Sequence, residues 1–125
     1  MTLDLPDIVF ALARILLGGA FLVLGIRNIA NLSSLTLALT ARGMILPRLS
    51  AIIGVALQIV GGLLVAVGPF ALIGGAALIV FLIFATVLFH NFWSYSGAER
   101  LTHLNATIMN LGLVGAFLLP IAAML

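Results

Sequence analysis

The chain has 125 residues, 65% of them apolar, with five basic and three acidic side chains and a net charge of +2. Such a composition marks a membrane protein, and the length leaves room for about four spanning helices of roughly 20 residues and no separate soluble domain. All the basic residues are arginine, too few to make a nucleic-acid footprint, and the absence of cysteine excludes disulfide exchange, thiolate ligands and iron–sulfur clusters within this chain.

The first apolar run covers about residues 7–29, after Asp4 and Asp7. Without a basic leader or a small-residue cleavage site it reads as a permanent span rather than a signal peptide. Arg14 falls about two turns inside it, where a guanidinium either snorkels to the near interface or finds a partner in the bundle. Gly18 and Gly25 stand seven residues apart, on one helical face.

Residues 31–48, "NLSSLTLALTARGMILPR", form a connection too short to span. Ser33 or Ser34 is placed to cap a short helix that carries Leu35, Leu39 and Arg42 on one side, and Gly43 ends it. Such a helix lies in the interface or folds back into the headgroups. Pro47 suits the opening of the second span, about 48–67.

That span reads "IIGVALQIVGGLL", and Gly54, Gln58, Gly61 and Gly62 cluster on a face that should meet another helix. Gln58 is near the middle, too deep to snorkel. It either hydrogen-bonds across helices or faces a ligand. "GPF" at 68–70 is a tight turn. The third span follows at about 70–92, with Gly74 and Gly75 near its start and "FHNFW" at its end. Trp93 and Tyr95 there suit an interfacial aromatic belt. After the polar connector "SYSGAER" the fourth span covers about 102–124, with His103, Thr107, Asn110, Val114 and Phe117 on one face. Thr86 and His90 on the third span face the same way if the two helices are neighbours, so one pocket between them is expected, with His90 and Trp93 at its rim. Asn110 has the same two readings as Gln58. Two histidines with only Glu99 nearby do not make a haem or metal site, and neither is expected.

Lipid offers no partner to an open backbone, so these runs must be helices. The expected fold is all-α: one transmembrane domain over residues 1–125, an antiparallel four-helix bundle with a short interfacial helix between spans 1 and 2. Arg27, Arg42 and Arg48 in the first connection and Arg100 in the third place those connections in the cytoplasm and both termini outside.

The segments "ARILLGGAFLVLGIRNIAN", "ARGMILPRLSAIIGVALQIVGGLLVAVG", "FHNFW" and "HLNATIMNLGLVGAFLL", in this order and spacing, resemble the DoxX-like family over nearly the whole chain. These are small four-helix membrane proteins that include the small subunits of a thermoacidophile terminal quinol oxidase and of thiosulfate:quinone oxidoreductase. The resemblance puts Arg14, Gly25, Gly61, Gly62, His90, Phe92, Trp93 and Asn110 at the family's recurrent positions. The chain departs from the pattern at Gln58, where an acid is usual, at Arg27, where a lysine is usual, and at Met109, where a lysine commonly precedes the asparagine. Loss of the acid removes the best proton carrier.

The resemblance implies an accessory subunit of a redox complex in the cytoplasmic (inner) membrane of a prokaryote, with the bilayer, a redox protein and a second copy of the chain as its partners. A quinone or similar amphipathic ligand needs an apolar slot with one or two polar groups at its mouth. Arg14, Gln58, His90, Phe92, Trp93 and Asn110 are the candidate ligand-binding residues. In this reading Phe92 and Trp93 stack on the ring, and His90 or Asn110 bonds a carbonyl. The alternative is a non-catalytic lipid-binding or scaffold protein. No autonomous catalysis is expected, because the chain pairs no nucleophile with a base and holds no metal-ligand set.

Overall fold

A computed structural model describes residues 3–125, and among them every regular element is helical: α1 (Leu5–Ala30), α2 (Leu32–Ala41), α3 (Pro47–Val67), α4 (Ala71–Phe89), a 3₁₀ turn (Phe92–Ser94) and α5 (Gly97–Met124). Of these α1, α3, α4 with its 3₁₀ extension, and α5 are long and apolar enough to cross a bilayer, and α2 is a shorter apolar helix between the first two.

Helix α1 starts in a capping box. Asp4 Oδ1 accepts from the Asp7 amide at 3.1 Å, and Asp7 Oδ2 accepts from the Asp4 amide at 3.4 Å. It buries Gly18, Phe21 and Gly25 on one face, the two glycines directly against α3. The approach is close enough to exclude side chains: a Cβ on Gly62 would lie 2.6 Å from the Leu22 amide nitrogen. The next glycine along α3, Gly61, turns to α4, where a Cβ on Gly74 would lie 2.8 Å from the Gly61 carbonyl oxygen. The small residues of α3 thus serve two neighbours rather than the one expected, and α3 becomes the central helix.

Phe21, Val65, Leu78, Leu82 and Phe117 form the core. Phe21 meets Phe117 edge-on at 5.2 Å and Phe81 at 6.4 Å, joining α1 to α5 and α4 through one ring. Helix α5 otherwise rests mainly on α4. It starts at Gly97, about a turn before the apolar run, because the segment "GAERL", with the charged Glu99 and Arg100, continues the helix beyond the hydrophobic stretch.

Helix α2 lies across α3 and buries Leu39 there. The serine cap expected at Ser33 or Ser34 does not form. Asn31 ends α1 and begins α2, so no loop is left for a serine to close, and Asn31 Nδ2 donates to the Arg27 carbonyl instead. Gly43, at φ +76°, stops α2 as expected, and Pro47 opens α3. Gly68, at φ +112°, makes the tight turn into α4.

Candidate functional site

The six candidate residues do not form one site: Gln58 and Arg14 stand apart from each other and from the α4/α5 end that holds His90, Phe92, Trp93 and Asn110. Gln58, midway along α3, is 5% exposed and is the one buried polar side chain among the described residues. Asn28 Nδ2 in the last turn of α1 donates to its Oε1 at 2.9 Å. A buried amide in an apolar span requires such a partner. Gln58 also lines a groove of about 310 Å³ bounded by α2, α3 and α4, whose walls include Leu39, Phe81, Phe84, Leu88 and Phe89. The volume is that of a small-ligand site, and the lining is almost wholly apolar.

Arg42 bonds to the backbone beside two of the groove's lining residues, Leu88 and Phe89. Its Nε donates to the Leu88 carbonyl at 2.7 Å, its Nη1 donates to the Ala38 carbonyl at 3.2 Å, and its guanidinium lies 4.7 Å from the Phe89 ring centre. One cation therefore covers the negative C-terminal ends of both α2 and α4 and ties the short helix to α4.

His90 and Asn110 belong to a different place, the seam between α4 and α5. Asn110 Nδ2 donates to Thr86 Oγ1 at 2.9 Å. One turn further out Thr107 Oγ1 donates to the carbonyls of His103, at 2.9 Å, and His90, at 3.2 Å. The Nδ1 atoms of His90 and His103 stand 3.2 Å apart, and Tyr95 stacks on His103 at 4.4 Å. The polar groups predicted to line a pocket here bond largely to one another. Asn91 Oδ1, by contrast, is buried with no hydrogen-bond partner. Phe92 and Trp93 meet edge-on at 5.3 Å in the 3₁₀ turn, with Trp93 61% exposed and the Arg100 guanidinium 5.8 Å from the Phe92 ring.

Arg14 lies at the opposite end of the bundle. Its Nη1 donates to the Ala66 carbonyl at 3.4 Å, its guanidinium is 5.4 Å from the Phe10 ring, and it rests against Gly68, where any side chain would collide with it. Snorkelling and partnering are here one arrangement: the side chain rises to the helix end and meets the Ala66 carbonyl in the last turn of α3.

Sequence reasoning missed Asn28 and the groove aromatics Phe81, Phe84 and Phe89. Asn28 was detectable, since Gly18, Phe21, Gly25 and Asn28 recur at helical spacing on the buried face of α1. The aromatics carried no such mark, because α4 is apolar all round.

The family model described as DoxX matches residues 9–91, a stretch that holds Arg14, Asn28, Gln58 and His90 and ends before Phe92, Trp93 and Asn110. No curated protein and no solved structure matches the chain.

Proposed function

The chain belongs to the DoxX family of membrane proteins, and from that premise we propose that it is a non-catalytic subunit of a membrane redox assembly. In this proposal it holds a quinone or similar ring-bearing amphiphile between α2, α3 and α4. One observation carries the reading: an apolar groove of about 310 Å³ has a buried amide, Gln58, in its wall. Asn28 occupies the Gln58 carbonyl oxygen, and the Gln58 N–H groups have no bond to any described residue, so they are available to a ligand carbonyl. Phe81, Phe84 and Phe89 supply flat apolar walls, and the leucines suit an isoprenoid tail.

Gln58 thus takes the part that the sequence assigns to His90 and Asn110, whose Nδ1 and Nδ2 atoms respectively are engaged with neighbours. The groove lies near the end of the bundle that carries Arg27, Arg42, Arg48 and Arg100, the end we assign to the cytoplasmic face of a prokaryotic inner membrane. The self-bonded α4/α5 seam supports a second reading, a lipid-binding scaffold in which the same groove takes an acyl chain.

Equilibrium binding of a short-tailed quinone to the detergent-extracted protein tests the proposal. Gln58→Leu should weaken binding about tenfold, the worth of one hydrogen bond to a buried carbonyl, while His90→Ala and Trp93→Ala bind as the parent does. Loss of binding in the His90 and Trp93 variants alone would move the site to the α4/α5 end. No binding by the parent protein leaves the scaffold.

A further inference from the structure

A second groove, larger than that between α2, α3 and α4, lies elsewhere. Helix α5 leans on α4 and meets α1 at Phe21 and Phe117, and beside that contact an apolar groove of about 590 Å³ runs between α1 and α5. Leu17, Phe21 and Leu24 line one wall, and Leu113, Ala116 and Pro120 line the other. From Phe10 to Leu24 the α1 wall rises about 21 Å at 1.5 Å per residue, close to the length of an extended acyl chain. Arg14 is part of the lining.

Position and charge both bear on what fills this groove. The Arg14 guanidinium is level with Ala66 and the Gly68 turn, at the end of α3, which is headgroup depth for a helix that spans. Its contacts are a carbonyl oxygen at 3.4 Å and the Phe10 ring. Neither bears a net charge, and five N–H donors exceed what they can use. The nearest acids along the chain, Asp4 and Asp7, are engaged with each other's amides in the capping box about two turns or more away. A planar cation at the interface with unused donors is matched by a phosphate.

We infer that the α1/α5 groove is a binding site for an anionic phospholipid, with the headgroup phosphate on Arg14 and an acyl chain along Leu17, Phe21, Leu113 and Ala116. The site is independent of the quinone groove, with which it shares no lining residue.

Native mass spectrometry of the full chain, released from detergent with equal amounts of phosphatidylglycerol and phosphatidylcholine, reads this directly. The parent protein should retain the anionic lipid about fivefold more than the zwitterionic one, the contribution of one basic side chain at a charged membrane surface. Arg14→Gln should retain both lipids equally, and Arg14→Lys should keep part of the preference. Ala116→Phe, which fills the groove, should lose both lipids while a thermal melt confirms that it folds. Inorganic phosphate at millimolar concentration should not displace the lipid. Equal retention by the parent, or an unchanged preference in Arg14→Gln, overturns the inference. So does a dimer that Ala116→Phe dissociates, because the groove would then hold a second copy of the chain.

Discussion

The Nδ1 atoms of His90 and His103 stand 3.2 Å apart, so a single shared hydrogen ties the end of α4 to the first turns of α5. The bond needs one ring to donate and the other to accept, whichever way round. Thr107 ties the backbone carbonyls of the same two residues together, and Tyr95 stacks on the His103 ring.

Removing either ring should therefore cost the same bond once. His90→Phe and His103→Phe are each expected to destabilise the protein by about 1 kcal/mol, and the double variant by little more than either alone. A double-mutant cycle in mixed micelles measures this. Full additivity would show that the rings do not interact.

The glycines should divide sharply by what they face. A methyl on Gly62 meets Gly18 O at 2.5 Å and the Leu22 amide at 2.6 Å, whereas one on Gly112 meets nothing within 4 Å. Gly62→Ala should destabilise by about 1–3 kcal/mol as the helices are forced apart. Gly112→Ala should be neutral or stabilising by up to about 1 kcal/mol, from helix propensity alone. Detergent-titrated unfolding of both variants gives the comparison.

Arg42 should control the short helix. Arg42→Gln loses the cap on Leu88 O and the contact with Phe89, and a loss of about 1 kcal/mol is expected, felt locally. Hydrogen exchange should then speed up in Leu32–Ala41 with α1 unchanged. Uniform acceleration throughout would mean that α2 unfolds only with the whole bundle.

Acid should act on the α1 cap. The Asp4 carboxylate accepts the Asp7 amide, and this bond, followed by the Asp7 side-chain contact, holds its pKa below the usual aspartate value. A carboxyl depressed by folding stabilises the folded state above its unfolded pKa, and that contribution is lost as pH falls through the lower folded value. Thermal stability should decline in the parent as pH falls below about 5. Asp4→Asn, which still caps but does not titrate, should decline less.

The sequence revealed helices and their breaks because both follow from local chemistry: lipid forces apolar runs to be helical, Gly43 and Gly68 supply left-handed turns, and Pro47 starts a helix. Pairings between helices were less legible. Gln58 announced that it needed a partner, but only the packing of α1 on α3 shows that the partner is Asn28. The polar residues of α4 and α5 looked like a binding inventory because a sequence shows donors and acceptors without showing that they satisfy each other. The reverse held for the α2/α3/α4 groove, whose phenylalanines are indistinguishable from core residues until the neighbouring helix proves to be absent on one side.

The arginines Arg14, Arg42 and Arg100 meet main-chain carbonyls or phenylalanine faces. Dipoles and ring quadrupoles act over a few ångströms, less than the roughly 8 Å over which physiological salt screens a charge. Ionic strength should thus leave the melting temperature of the bundle nearly constant from low to physiological salt. The outward field of the same cations is not sheltered in this way, so attraction to an anionic bilayer should weaken over that range, and salt separates what holds the protein together from what draws charged lipid to it.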